Sequence, residues 1–261
     1  MTPQDYLHSL FDLSGTTSVV IGGTGVLGGR LARSLALAGS RVIICGRGEE
    51  AGNETAAAIA EAGGTAEVFT LDATVRGDLQ DLADELASRD QPCDVLINAA
   101  GINSATPFLE IPDDEWDKIL RVNLTAVRLG CEIFGRMMTA AGGGSIINMA
   151  SMSAITPLSR VFTYSVSKAG VLNLTRNLAR EWGETGVRVN AISPGFFPAE
   201  QNRDVLTPDR ISSIMTHTPM RRFGKPTELD AAVLLLASPR AGSFITGENL
   251  VVDGGFSAMT I

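Results

Sequence analysis

Val19-Val20-Ile21-Gly22-Gly23-Thr24-Gly25-Val26-Leu27-Gly28-Gly29, "VVIGGTGVLGG", runs directly into Arg30-Leu31-Ala32-Arg33-Ser34-Leu35-Ala36. An apolar run, a knot of glycines and an amphipathic stretch read as a strand, a tight turn and a helix. The spacing Gly23-x-Gly25-x-x-Gly28 between that strand and helix is a dinucleotide fingerprint. Glycines there let the backbone turn and approach a pyrophosphate, which rests on the free N–H groups of the helix start. The alternative is a turn that serves packing alone. The second strand ends "IICGRGEE", so Gly46 stands where an acid would take up an adenosine ribose, and Arg47 follows. An acid there repels a 2′-phosphate and an arginine holds one. This favours NADP(H), with NAD(H) as the alternative.

Outward from this turn the pattern repeats. Strands are expected at 17–22, 41–46, 66–70, 94–98, 144–150, 187–193 and 249–254. Most are continuous apolar runs, which suits strands covered on both faces of a parallel sheet. Helices are expected at 27–38, 49–62, 76–89, 113–140, 161–183 and 226–237. The fourth follows Pro112 with acids in its first turn, where they complement the positive helix end. Strand–helix alternation along the whole chain predicts one α/β domain over 1–261: a doubly wound Rossmann fold with a central parallel sheet of about seven strands. The long irregular stretch 194–225 follows the sixth strand and is the expected substrate loop.

Composition narrows the function classes. The net charge of −8 disfavours nucleic acid as a partner, because phosphates need a basic face. Cys45, Cys93 and Cys131 have neither disulfide-framework nor zinc-site spacing, and His8 and His217 are the only histidines, so no metal is expected. No run approaches the ~18 apolar residues of a membrane span. The N-terminus has no basic-then-apolar leader. A cytoplasmic protein with a small-molecule substrate and no membrane partner is the expectation.

Ser151, Tyr164 and Lys168 lie in "NMASMSAITPLSRVFTYSVSKAG". Tyr164 and Lys168 are four apart on an expected helix and share a face. A phenol with a reference pKa near ~10 is a poor base at neutral pH. A neighbouring ammonium and a positive nicotinamide ring favour its phenolate. Tyr164 then becomes a proton donor or acceptor for a carbonyl/alcohol pair. Ser151 ends the preceding strand, where its hydroxyl can hold the substrate oxygen. An ordinary helix face is the bland reading of the spacing.

With these pieces in order, the chain resembles the short-chain dehydrogenase/reductase family over essentially its full length. Asp72 and Ala73 in "LDA" look like the adenine-flanking segment. Asn98-Ala99-Ala100-Gly101 resembles the family's Asn-Asn-Ala-Gly turn. Asn123 in "RVNL" matches the asparagine that helps hold a proton-relay water, and Ser151, Tyr164 and Lys168 match the rest of that tetrad. Pro194-Gly195 looks like the turn beside the nicotinamide. The resemblance implies hydride transfer between nicotinamide C4 and a carbonyl carbon. Lys168 would bind the nicotinamide ribose and lower the pKa of Tyr164. It also implies a homotetramer built on the helices at 113–140 and 161–183.

Two departures stand out. Against the family pattern Thr-Gly-x-x-x-Gly-x-Gly, Ile21 replaces the threonine and Val26 the central glycine. Val26 is poorly suited to positive φ and narrows the approach to phosphate. Gly22 and Gly28 are therefore expected to make the turn and the helix contact, with Gly25 supplying the freedom that Val26 removes. Thr24 and Leu27 complete the nucleotide-binding turn. After Pro194-Gly195 the chain offers Ala199 where many relatives have a threonine, so carboxamide contacts must differ or come from backbone.

The segments "GGTGVLGG", "GGSIINMASMSA", "GVRVNAISPGFFPAEQNR", "TPMRRFGKPTEL" and "VDGGFSA" look most like the branch acting on sugar acids, such as mannonate/fructuronate and gluconate oxidoreductases. The insertion that some mannonate-type relatives carry after the fourth strand is missing. A sugar acid needs a cation, and Arg203 and Arg160 are the candidates. Ser151, Ser153 and Phe196 complete the expected substrate contacts; Phe196 and Phe197 can cover the nicotinamide, with core packing as the alternative. The rival readings are a ketoreductase on acyl-carrier or other ketones, which Arg221-Arg222 keeps open, and a non-catalytic nucleotide-binding protein.

Overall fold

The computed structural model describes residues 1–197 and 207–259. Seven strands form one sheet in the order β3-β2-β1-β4-β5-β6-β7, and every neighbouring pair is parallel. They are β1 (Thr17–Ile21), β2 (Arg41–Gly46), β3 (Thr65–Thr70), β4 (Val95–Asn98), β5 (Gly144–Met149), β6 (Val187–Pro194) and β7 (Asn249–Val252). Side chains alternate between the two faces. Val19, Ile21, Ile43, Cys45, Leu96 and Ile146 pack one way, against α4 (Arg76–Ser88), α6 (Ala126–Ala141) and α7 (Phe162–Trp182). Val20, Val42, Ile44, Val95, Ile97 and Ile147 pack the other way, against α2 (Val26–Leu37), α3 (Glu49–Glu61) and α9 (Asp230–Ala237). Helices cover both faces over the five inner strands, which is why those strands read as continuous apolar runs.

Chain direction across the sheet reverses between β1 and β4. A crevice opens there at the carboxyl ends of the strands, the usual ligand position in such sheets. The crevice is tightly stitched: Ala99 N–H donates to Ile21 O at 2.7 Å, and Gly22 N–H to Cys45 O at 2.8 Å.

Four elements differ from expectation. A helix α1 (Pro3–Phe11) opens the chain. It buries no side chain fully, although Tyr6, Leu7, Leu10 and Phe11 share one face; Thr2 and Asp5 cap it reciprocally and Pro3 starts it. The helix expected at 113–140 is α5 (Asp113–Leu120) and α6, joined by a π-helical turn at Arg121–Thr125. The stretch 194–225 contains α8 (Pro208–His217), whose N-cap Thr207 accepts from Arg210 N–H. Finally, β7 stops at Val252, because Gly254 and Gly255 take φ of +65° and +89° around Asp253. The Asp253 carboxylate accepts from the N–H groups of Gly255 and Ser257.

Candidate active site

The glycine turn divides its work in a way that the sequence reading has only partly right. Gly22 has φ +84°, and a Cβ there would meet Ala100 N at 2.5 Å. A Cβ on Gly28 would overlap Gly22 O and lie 2.8 Å from its carbonyl carbon. These two glycines make the turn and the helix contact, as expected. Gly25 does not compensate for Val26. It is the N-cap of α2 in extended conformation, φ −93°, a backbone any residue adopts. Val26 is the first helical residue and is 46% exposed; among the described non-glycine residues only Asp90, Arg160 and Arg221 have positive φ. The first turn of α2 therefore carries no strain from Val26. Thr24 and Leu27 are partly buried, Leu27 against the core.

Arg47 is exposed at the end of β2. Asp72, at the mouth of the crevice, has its carboxyl held below the usual range. The Thr74 N–H contributes most, at 2.8 Å, with the Thr74 hydroxyl, Arg47 and Arg121 adding to it. Arg121 is a cation that no motif or spacing singles out. Ala73 packs against the core.

In the next turn, the Asn98 side chain faces the core rather than the crevice. It is buried, and its Nδ2 donates to Asn148 Oδ1 at 2.9 Å. Asn148 Nδ2 continues to Thr175 Oγ1 at 3.0 Å, tying β4 and β5 to α7. Ala99, Ala100 and Gly101 are the part of the turn left partly exposed.

Asn123 sits in the π-helical turn, fully buried. Ala126 N–H bonds to Arg121 O, five residues back. Such turns recur at functional sites. Asn123 Oδ1 accepts from Ile102 N–H at 2.8 Å, and its Nδ2 donates to Ile102 O and to Ser167 Oγ. Ser167 Oγ in turn donates to Tyr164 O at 2.6 Å. One side chain thus links the loop after β4 to the helix carrying Tyr164 and Lys168.

Ser151 closes β5 and starts a 3₁₀ turn. Its Oγ accepts from both Ser153 N–H and Ser153 Oγ, each at 3.1 Å. A hydroxyl has one proton to give and two lone pairs to fill. With both lone pairs engaged, the Ser151 O–H is left to donate outward. Ser153, expected to touch substrate, is buried and serves Ser151 instead.

Tyr164 is partly buried beside Ser151. Burial pushes its phenol up from the ordinary value, and the Ser151 hydroxyl pulls it down. Lys168 is 3% exposed and donates from Nζ to Met149 O at 2.7 Å, with Nζ 5.6 Å from the Tyr164 ring centre. Burial pushes Lys168 down to about 8. The expected depression of Tyr164 by Lys168 is therefore not a property of the chain alone. Desolvation outweighs the Ser151 hydrogen bond at Tyr164.

Arg160 lies exposed at φ +63°, lining a narrow crevice with Ser104, Thr106, Glu115 and Tyr164. Pro194 ends β6, and a Cβ on Gly195 would meet Asp253 Cα at 2.6 Å. Phe196 packs edge-on against Phe256, with ring centres 5.4 Å apart, and lines a cavity of about 290 Å³ between the ends of β6 and β7. Phe197 is a core residue against Gly224. Arg222 is paired with Glu228 through both guanidinium nitrogens and is not a free cation. Arg203 and Ala199 lie outside the described residues. Among the described residues no group of His, Cys, Asp and Glu has a metal-binding arrangement, and no helix is long and apolar enough to cross a membrane.

A doubly wound sheet with a glycine turn at its switch point and a Ser–Tyr–Lys cluster beside it defines a nucleotide-dependent oxidoreductase. A family model described as enoyl-(acyl carrier protein) reductase matches residues 25–257. Galactitol 2-dehydrogenase of Rhizobium johnstonii is 38% identical, over 95% of this chain and 97% of its own. The 2-dehydro-3-deoxy-D-gluconate 5-dehydrogenase of Bacillus subtilis is 34% identical, over 96% and 98%. A gluconate 5-dehydrogenase structure from Burkholderia cenocepacia, in complex with NADP and tartrate, superposes with a TM-score of 0.92 at 31% identity, covering 97% of this chain and all of that one. The chain belongs to the short-chain dehydrogenase/reductase family and is an NAD(P)-dependent oxidoreductase of carbonyl/alcohol pairs.

Proposed function

We propose that the chain interconverts a secondary alcohol and a ketone on a sugar acid, using NADP(H), with Tyr164 moving the proton. The observation that carries this is the hydroxyl arrangement: Ser153 fills both acceptor sites of Ser151 and turns its O–H toward the Tyr164 side. That is the geometry needed to hold a substrate oxygen while the phenol donates or accepts its proton. Lys168, fixed on Met149 O, supplies the ammonium for the nicotinamide ribose and the local field. Asn123 positions the helix through Ser167 and holds the loop at Ile102.

The crevice fits a dinucleotide. Gly22 and Gly28 remove the Cβ atoms that would close the turn, and the amides at the start of α2 face the site of a pyrophosphate. Gly25, Val26 and Leu27 would line that site. Arg47 would hold the 2′-phosphate beside Gly46, Asp72 and Ala73 the adenine, and Ala99–Gly101 and Pro194-Gly195 the nicotinamide end. When bound, the nicotinamide supplies or accepts the hydride.

The sugar-acid reading rests on relatives that act on gluconate derivatives and on Arg160 beside Tyr164; Arg203 is proposed as a second carboxylate partner. A neutral polyol is the second reading. It is favoured by Glu115 in the same crevice, whose carboxylate accepts from Ser104 and Thr106 and would repel an anion. An acyl-carrier substrate is less favoured, because Arg222 is neutralised by Glu228. Exposed Phe108 and Leu109, in the 3₁₀ turn before α5, and exposed Phe162 and Val166 in α7 support assembly through that face, as a tetramer requires.

The test is nicotinamide absorbance with NADP⁺ or NAD⁺ against sugar acids and neutral polyols, with Tyr164→Phe as control. The expected result is turnover of an acid with NADP⁺, lost in the control. Arg160→Ala is expected to raise KM for the acid only. Turnover of polyols alone would replace the sugar-acid reading, and full activity in Tyr164→Phe would refute the role of Tyr164.

A further inference from the structure

The end of β2 and the glycine turn are coupled through one side chain. A Cβ on Gly46 would overlap Thr24 Oγ1, lie 2.9 Å from Thr24 Cγ2 and 3.2 Å from Thr24 Cβ. A Cβ on Gly52, in the first turn of α3, would lie 3.3 Å from Thr24 Cγ2, and one on Gly48 would lie 3.9 Å from Thr24 Cβ. The side chain of Thr24 thus sits in a niche formed by Gly46, Gly48 and Gly52. Rotation about its Cα–Cβ bond cannot vacate the niche. A threonine Cβ has three staggered positions for two heavy atoms. Two of the three are the crowded ones, so every rotamer leaves at least one heavy atom against residue 46.

We propose that Thr24 is a specificity-determining residue for the nucleotide. It occupies the volume in which a carboxylate side chain at residue 46 would have to begin. An acid at that strand end is what accepts ribose hydroxyls and repels a 2′-phosphate. With Thr24 in place, residue 46 stays glycine, the ribose edge stays free of negative charge, and Arg47 is the charged group presented there. The choice of nucleotide is set by the Thr24/Gly46 pair, not by Arg47 alone. This rests on the NADP(H) reading above.

The test is a double-mutant cycle with two readouts. First, isothermal titration of NADP⁺ and NAD⁺ into the wild type, Gly46→Asp and the double variant Thr24→Gly/Gly46→Asp. Gly46→Asp alone is expected to weaken NADP⁺ by about tenfold or more without improving NAD⁺. Adding Thr24→Gly is expected to tighten NAD⁺ by about tenfold over the single variant while NADP⁺ stays weak. Second, melting without nucleotide. Gly46→Ala is expected to lower Tm by about 5 °C in the wild type and by far less in the Thr24→Gly background. Wild-type titration tests the NADP(H) reading by itself; the melting cycle tests the Thr24 niche whatever that outcome. A switch to NAD⁺ by Gly46→Asp with Thr24 intact, or additive Tm changes, would overturn the proposal.

Discussion

Replacing Lys168 by methionine keeps the length of the side chain and removes its charge. Burial depresses the folded pKa of this lysine from the ordinary 10.5 to about 8. An unfolded chain holds the proton up to about 10.5, whereas the folded chain releases it near 8. Between those values the unfolded state binds more protons, so stability rises with pH across that window. Below it the full cost of burying the ammonium stands, about 3 kcal/mol at neutral pH. The Nζ–Met149 hydrogen bond at 2.7 Å offsets part of this cost and contributes about 1.5–3 kcal/mol while the donor is charged. Using Lys168→Met as the reference cancels other titrating groups. The wild type is expected to gain about 2 kcal/mol on the variant between about pH 7 and about pH 9.5. Urea unfolding of both proteins across that range measures it. A stability difference that is flat with pH, or that moves against the wild type, would refute the claim that Lys168 is held in a desolvated site.

Gly28→Ala places a methyl on Gly22 O, and that carbonyl is already held by Gly25 N–H at 3.1 Å. The turn cannot withdraw, so a loss of about 2 kcal/mol or more is expected, with nucleotide binding abolished; calorimetry and nucleotide titration check it, and an unchanged Tm would show that the turn is looser than its contacts imply. Ser153→Ala frees one acceptor site of Ser151 and allows its hydroxyl to turn. A fall in kcat of about tenfold with KM little changed is expected, against about a hundredfold for Ser151→Ala; equal losses in steady-state kinetics would place Ser153 on the substrate.

The sheet was legible because its five inner strands are buried on both faces, so that "VVI", "VIIC" and "VLI" appear as uninterrupted apolar runs. Tyr164 and Lys168 were legible because their spacing is local, one helical turn apart, whereas Asn123 was legible only through the family resemblance of "RVNL". What escaped notice lacks either property. Helix α1 is nine residues long and buries no side chain fully, so its Tyr6/Leu7/Leu10/Phe11 face and its capping box are weak signals of a packed element. The π-helical turn differs from an α-helix by hydrogen-bond register, to which side-chain periodicity is nearly blind over five residues. Val26 was misjudged because a motif position was equated with a backbone conformation, whereas the helix begins one residue earlier than expected. Asn98 and Ser153 carry the right residue types for a site, but their side chains serve neighbours in the core. The contact of Thr24 with Gly46 joins residues in different elements, and no local pattern records it.

The π-helical turn at Arg121–Thr125 has a consequence for how this site can arise and be lost. It is a helix carrying one residue more than its ladder needs. Removing that residue would let α5 and α6 fuse into an ordinary helix, with the sheet and both cores left in register. Asn123 would then swing off its axis and release Ile102 and Ser167 together. The distance in sequence space between a working arrangement and a silent but well-folded one is a single codon. Gains and losses of activity on this scaffold are therefore open to insertion and deletion as well as to substitution.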